Sequence, residues 1–170
     1  IVAKMSPRDA AEVERLLRYP PRTAGRLMTE KFATIRPEWT AAETLDHLKR
    51  IDPEVETVQS LYAVDDAGLL VGYVSLRHLF PAPPEKKISE MMERRLLTVR
   101  ADAQQEEVAR LVSKYDVHAI PVVGEENRLL GIVTVDDVID IMIEEQTEDV
   151  LHMGGVSATE ESVEQGYFAT

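Results

Sequence analysis

The stretch Leu129-Leu-Gly-Ile-Val-Thr-Val-Asp-Asp-Val-Ile-Asp140 predicts a strand that runs directly into a helix. Its apolar, β-branched first half follows a polar turn at residues 125–128, which is typical of an inner strand. Apolar side chains then recur at helical spacing, and Thr134 or Asp136 supplies an oxygen that can cap the helix. A hydroxyl and carboxylates beside unpaired helix N–H groups can hold a ligand; a capped helix that binds nothing is the alternative.

The composition is that of an acidic globular protein. The 170 residues carry a net charge of −12, 44% of them are apolar, and none is cysteine. The length suffices for one well-buried domain or two small ones, and the lack of cysteine excludes disulfides and cysteine-based zinc or redox sites. Nucleic acid and anionic membranes repel an acidic surface, so the charge argues against both as direct partners and favours cations; solubility alone is the other explanation.

No catalytic signature accompanies this composition. The sequence contains no Gly-rich P-loop, no Gly-x-Ser-x-Gly elbow and no Cys/His pair. The four histidines are scattered along the chain, so we expect none of them to ligate zinc. We therefore expect a protein that is not an enzyme.

An internal duplication begins near Ala24 and divides the chain into two similar copies. Each copy predicts the order strand, helix, strand, strand, helix, with short polar hairpin loops at residues 65–68 and 124–128. Neither copy is large enough to bury a large core alone, so we expect the two to pack together and share their sheet faces. The aligned segments are Met28 with Met92, residues 61–64 with residues 120–123, and residues 72–75 with residues 131–134.

Helix starts can be placed by their capping residues. Thr40 and Glu43 form a predicted capping box in the first copy, and a similar arrangement opens at Asp102 in the second. Asp52-Pro53 is expected to end the first helix of the first copy. Ahead of both copies, Ser6-Pro7 predicts the start of an additional N-terminal helix.

This tandem β-α-β-β-α repeat resembles a pair of CBS domains, named after cystathionine β-synthase. The second copy carries the telling motifs, Ala119-Ile120-Pro121-Val122-Val123 and Gly131-Ile132-Val133-Thr134-Val135-Asp136-Asp137. The resemblance covers roughly residues 24–143. It implies an α/β (α+β) fold, a tandem CBS-domain pair with flanking N-terminal and C-terminal helices, and a homodimer formed through the CBS domains.

The resemblance also implies a nucleotide site, because adenosine nucleotides often occupy the cleft of such pairs. The motif's threonine and aspartate, here Thr134 and Asp137, would hold the ribose hydroxyls, which suits a carboxylate acceptor. The first copy departs from this pattern, since His78 stands where the second has Asp137. The candidate residues for ATP or another adenine nucleotide are Arg77, Pro121, Thr134 and Asp137, with Arg77 either on a phosphate or an ordinary surface arginine.

The flanking segments resemble the cytosolic part of MgtE magnesium channels, on Thr23-Ala24-Gly25-Arg26-Leu27-Met28-Thr29 and the acidic run at residues 145–150. A transmembrane pore domain of the same chain would then follow, at the cytoplasmic face of the cell membrane. The implied domains are the end of a helical N domain (1–23), CBS domain 1 (24–83), CBS domain 2 (84–143), and an acidic connecting (plug) helix with its tail (144–170).

The residues after Thr134 predict an acidic helix independently of that resemblance. At about 100° per residue, four carboxylates share one stripe: Asp137, Asp140, Glu144 and Glu148. Like charges at i, i+4 repel, so either solvent and salt or a hard divalent cation compensates them. Carboxylates of the second copy, including Glu106, Glu107, Asp116 and Asp136, can contribute from facing surfaces.

Most of these positions are associated with bound magnesium in the family that the chain resembles. The candidate ligands are Glu106, Asp116, Asp136, Asp137, Asp140, Glu145, Glu148 and Asp149. The predicted function is a cytosolic Mg²⁺-sensing segment that closes the pore of a magnesium channel when intracellular Mg²⁺ bridges its acidic surfaces. The alternative is an adenine-nucleotide-sensing CBS module of another transporter or enzyme, and a structural dimerisation module is a third interpretation.

Overall fold

The computed structural model describes residues 5–51, 54–55 and 58–164, with the backbone alone for residues 155–164. The expected helix end at Asp52-Pro53 and the tail after residue 164 lie outside these ranges. The elements are α1 Pro7–Leu16, α2 Ala24–Leu27, β1 Thr34–Ile35, α3 Ala41–Leu48, β2 Ser60–Val64, β3 Leu70–Ser75, α4 Leu76–Leu79, α5 Ile88–Met91, β4 Val99–Arg100, α6 Gln105–Tyr115, β5 Ala119–Val123, β6 Leu129–Thr134 and α7 Val135–Glu164.

Each copy contains a three-stranded sheet, in the order β1-β2-β3 and β4-β5-β6. β1 runs parallel to β2, which forms an antiparallel hairpin with β3, and the second copy repeats this arrangement. The parallel pairs need a crossover, which α3 and α6 supply. The register repeats as well, because Ala63 pairs with Gly72 and Val122 with Gly131. The predicted order of strands and helices is confirmed in both copies.

The short helix that precedes each copy packs on the other copy. Ala24 of α2 belongs to the buried cluster around Val108 and Ile120 of the second copy. Ile88 of α5 belongs to the cluster around Ile35 of the first copy. The alignment of the two copies did not predict this exchange, because aligned positions do not reveal which sheet each of them contacts.

Two glycines allow the exchanged segments to cross the sheets closely. A Cβ added at Gly131 would lie 2.8 Å from the carbonyl oxygen of Thr29, and one added at Gly72 would lie 3.1 Å from that of Glu93. A larger residue at either position would push against main chain of the crossing segment. Close backbone approach therefore explains the glycine that opens each strand-to-helix motif.

Helix α3 begins with the capping box that the sequence predicts. The N–H of Glu43 donates to Thr40 Oγ1 at 3.2 Å, and the N–H of Thr40 donates to Glu43 Oε2 at 2.8 Å. The exchanged segment contributes a further bond, because the N–H of Ala41 donates to the carbonyl of Lys86 at 2.8 Å. Side chain and main chain together satisfy the first turn of this helix.

Helix α6 begins differently from its prediction. The expected start at Asp102 is wrong, because the N-cap residue is Gln104, whose side chain makes no capping bond. Instead the N–H of Gln105 donates to the carbonyl of Arg22 at 2.9 Å. The main chain that precedes α2 therefore supplies the acceptor that a local side chain supplies in α3.

A buried cluster joins the two sheets. Tyr62 and Leu70 of the first copy pack with Val123 and Ile132 of the second. The hairpin tips also meet, since the side-chain amide of Asn127 donates to the carbonyl of Leu70 at 2.7 Å. The two copies share their sheet faces as predicted, which gives two small modules one larger core.

The chain begins and ends in helices. Pro7 is the first residue of α1, and Ser6 Oγ accepts from the N–H of Asp9 at 3.2 Å, as predicted. Helix α7 runs for 30 residues, and its first turns bury Val138 and Ile141 against the second copy. The predicted long acidic helix is confirmed. Within the part of the chain that is described, no helix combines the length and apolar character needed to cross a membrane.

Candidate functional site

A cleft of about 970 Å³ opens where α4 of the first copy faces the end of α6 and the start of β5. Of the residues predicted to bind a nucleotide, Arg77 and Pro121 line this cleft. Thr134 and Asp137 are not among its lining residues. The structure thus brings two of the four predicted residues together and leaves the other two at a separate junction.

The charged residues that line the cleft are mostly basic. Arg77 and Arg95 lie there with two histidines, His78 and His118, and Asp116 is the one carboxylate among the described lining residues. The chain as a whole carries a net charge of −12, so this local excess of basic groups contrasts with the rest of the surface. Such a lining attracts an anionic ligand.

Aromatic side chains complete the cleft. Tyr62, Tyr73 and Tyr115 line it, and their rings offer apolar faces on which a planar group can pack. Tyr62 is only 2% exposed, and its burial raises the pKa of the phenol to about 12, although a hydrogen bond with Ser60 acts in the opposite direction. The phenol of Tyr62 therefore adds no negative charge to the cleft at neutral pH.

The two strand-to-helix junctions are capped by different atoms. At the first, the N–H of His78 donates to Ser75 Oγ at 3.4 Å, and His78 Nδ1 lies 3.0 Å from the same oxygen. At the second, the N–H and hydroxyl of Thr134 donate to Asp137 Oδ2 at 3.1 and 2.8 Å. The capping oxygen of α7 therefore belongs to Asp137, and the expectation that Thr134 or Asp136 supplies it is wrong.

Three of the predicted metal ligands converge on one arginine. Arg22 places its guanidinium 3.5 Å from Glu106 of α6, and 3.8 and 3.4 Å from Glu145 and Glu148 of α7. Gln105 Nε2 also donates to Glu145 Oε1 at 3.2 Å. The sequence did not point to Arg22, because Glu148 lies 126 residues away and no local motif marks the arginine.

The other predicted metal ligands are spread along the two helices. Asp116 ends α6 in the left-handed conformation, about 15 Å from Glu106 at 1.5 Å per residue. Asp136, Asp140 and Asp149 are exposed on α7. Among the described side chains, no group of three or more Asp, Glu or His residues is arranged to hold a metal ion. The magnesium ligand set stays a prediction.

Comparison with known proteins identifies the family. Residues 24–85 and 88–144 each match the CBS domain family. The magnesium transporter MgtE of Thermus thermophilus is 47% identical over 152 residues, which is 89% of this chain and 34% of that protein. MgtE of Bacillus subtilis is 40% identical over 148 residues, 87% of this chain and 33% of that protein. The chain thus spans about a third of the length of these relatives.

Solved structures agree with the sequence relatives. The crystal structure of the cytosolic domain of the Mg²⁺ channel MgtE in complex with ATP has a TM-score of 0.79 and 46% identity, covering 82% of this chain and 56% of that one. The soluble part of a magnesium transporter has a TM-score of 0.80 and 36% identity, covering 85% and 56%. The chain therefore belongs to the CBS-domain family, and its tandem pair is of the MgtE type.

Proposed function

We propose that this chain is the Mg²⁺-sensing regulatory segment of a magnesium channel, located at the cytoplasmic face of the membrane. In this proposal Mg²⁺ bridges acidic surfaces between the N-domain end (1–23), CBS domain 2 (84–143) and the connecting helix (144–170). The pore domain would follow in the same parent chain. The observation that carries the proposal is the convergence of Glu106 with Glu145 and Glu148 where α6 meets α7.

Electrostatics explains why a divalent ion would act on this surface. Carboxylates on facing helices repel, by about 1 kcal/mol at 4 Å in bulk water and more near a protein surface. Mg²⁺ prefers oxygen ligands, keeps several of its waters and can therefore bridge side chains that do not form a tight cage. Ions that bind the compact arrangement better shift the population toward it, and a change from 1:99 to 99:1 needs about 5.5 kcal/mol of differential binding.

Isothermal titration calorimetry with MgCl₂ tests the proposal. We expect saturable binding at millimolar Mg²⁺, weakened when Asp140→Asn and Asp149→Asn are combined on α7. Asp66→Asn is a matched control, because Asp66 is an exposed carboxylate in the first hairpin, paired with Arg36 at 3.1 Å. An absence of binding heat, or equal weakening in the control, would contradict the proposal.

A second candidate function is the binding of an adenine nucleotide in the cleft. Its basic and aromatic lining favours this function, as does the ATP complex of the similar MgtE cytosolic domain. Arg77 would contact phosphate, and Pro121 would border the base. Arg77→Ala should weaken ATP binding about tenfold, as expected for a charge-assisted contact, whereas Asp137→Asn should leave it unchanged. The reverse result in a fluorescence titration would return the site to Thr134 and Asp137.

A homodimer is the third part of the proposal, supported by an apolar stripe on α7. Ile139, Ile143, Val150 and Met153 lie on one face of this helix at intervals of three, four or seven residues, and Met153 is 74% exposed. Exposed apolar stripes of this kind mark protein interfaces. Analytical ultracentrifugation should give a dimer that Ile143→Lys weakens, and a monomer at all concentrations would exclude it.

A further inference from the structure

Arg22 occupies the point where the three acidic side chains of α6 and α7 meet. Its Nη2 lies 3.5 Å from Glu106 and 3.8 Å from Glu145, and its Nη1 lies 3.4 Å from Glu148. The guanidinium presents donors in a planar fork, so a single arginine can bind several carboxylates at once. One positive charge therefore already stands among carboxylates that a metal ion would otherwise approach.

The backbone holds Arg22 in this position. Its φ is +62°, a left-handed conformation that a non-glycine residue adopts at a cost and keeps only when its surroundings require it. Its carbonyl accepts the N–H of Gln105 at 2.9 Å, and the next residues are fixed by the bonds from Ala24 N–H to Ala103 and from Gly25 N–H to Ala101, both 2.8 Å. The arginine is thus carried on main chain that is tied to the start of α6.

The surface position limits the strength of each ion pair. The side chain of Arg22 is 48% exposed and that of Glu148 is 61% exposed, so water and salt screen the attraction. A divalent cation can therefore compete with the guanidinium. It cannot share the same oxygens without repulsion between the two positive charges.

We propose that Arg22 is an internal counter-cation that holds helix α7 against α6 without metal, and that Mg²⁺ must displace its guanidinium to bind Glu106, Glu145 and Glu148. The displacement rests on the proposed function, whereas the clamp does not. The arginine would set the Mg²⁺ concentration at which this surface responds, because each ion has to replace an existing charge pair.

The first experiment measures the clamp in the 170-residue chain without metal. Arg22→Gln should speed amide hydrogen exchange in α7 around residues 142–150 by about threefold, as expected for the loss of weak exposed ion pairs. Arg110→Gln is the matched control, since Arg110 is an exposed arginine on α6 and its loss changes the net charge equally. Unchanged exchange in Arg22→Gln, or an equal change in the control, would overturn the proposal.

The second experiment measures displacement by Mg²⁺ calorimetry on the same proteins. Removing the competing charge should tighten Mg²⁺ binding about threefold to tenfold in Arg22→Gln, while Arg110→Gln stays near the unsubstituted chain. Arg22→Lys keeps the charge without the fork and should lie between the two. Mg²⁺ affinity that is unchanged or weaker in Arg22→Gln would overturn the displacement.

The two experiments separate this inference from the proposed function. If the unsubstituted chain does not bind Mg²⁺, the proposed function fails and the displacement fails with it. Hydrogen exchange without metal still decides whether Arg22 clamps α7. If Mg²⁺ binds normally but Arg22→Gln changes neither exchange nor affinity, the function stands and Arg22 is an ordinary surface residue.

Discussion

The two strand-to-helix junctions of this chain share a backbone and differ in the helix that each of them opens. Both begin at a glycine crossed by an exchanged segment, and both enter a helix through a Ser or Thr. The first continues with His78 into the four residues of α4, and Pro81 comes shortly after. The second continues with Asp137 into the 30 residues of α7. A single position and the length of one helix distinguish them.

The difference shows how a duplicated fold acquires two surfaces of opposite character. The first junction borders a cleft with mostly basic charges, which suits an anion. The second junction opens an acidic helix that meets the acidic start of α6, which suits a cation. The shared backbone positions the side chains, and the side chains determine the chemistry of each surface.

The largest expected difference between the junctions concerns their glycines. Gly131→Ala should lower the free energy of unfolding by about 3 kcal/mol and Gly72→Ala by about 1 kcal/mol. The new methyl group at residue 131 would lie closer to main chain, at 2.8 Å from the Thr29 carbonyl oxygen, and paired backbone bonds to Ile132 hold that strand in place. Urea denaturation measures both values, and equal losses would contradict the packing difference.

Alkaline pH should distinguish the copies next, because Tyr62 in the first aligns with Pro121 in the second. Burial raises the pKa of Tyr62 to about 12 from its ordinary value of 10.0. The folded state then holds the proton more tightly, so its stability is fully present below pH 10 and falls as the pH rises toward 12.

The loss should reach about 2.5 kcal/mol over that range, at 1.36 kcal/mol for each pKa unit. Tyr62→Phe should remove this part of the pH dependence while other groups titrate as before. Chemical denaturation at several alkaline pH values compares the two proteins. Parallel curves for the unsubstituted chain and Tyr62→Phe would show that Tyr62 does not titrate in this way.

The caps of the two junctions should differ by a smaller amount. Asp137→Ala removes the acceptor of the Thr134 N–H and hydroxyl and should cost about 1 kcal/mol. His78→Ala should cost less than about 0.5 kcal/mol, because Ser75 Oγ still accepts the backbone N–H of residue 78. Thermal denaturation of both variants tests the order, and a larger loss for His78→Ala would reverse it.

Local signals in the sequence were sufficient for much of the fold. Alternating apolar residues and polar turns predicted the hairpins, and Thr40 with Glu43 predicted the start of α3. The acidic stripe predicted the continuous helix after Thr134. Each of these features depends on residues that are close together in the chain.

The features that were missed depend on residues far apart in sequence. The exchange of α2 and α5, the start of α6 on the carbonyl of Arg22, and the placement of its guanidinium all involve segments from different copies. The cleft was anticipated only in part, since Arg77 and Pro121 line it while Thr134 and Asp137 do not. Spacing within one copy cannot reveal which residues of the other copy will face it.

The central claim is that the acidic surface of α6 and α7 binds Mg²⁺ specifically. Its most direct test is the melting temperature of the chain as a function of MgCl₂, compared with NaCl at equal ionic strength. A ligand bound only by the folded state raises the melting temperature, by about 2–4 °C for each kcal/mol in a chain of this size. We predict a rise at millimolar Mg²⁺ that NaCl does not reproduce, whereas no rise, or an equal rise with NaCl, would contradict the account.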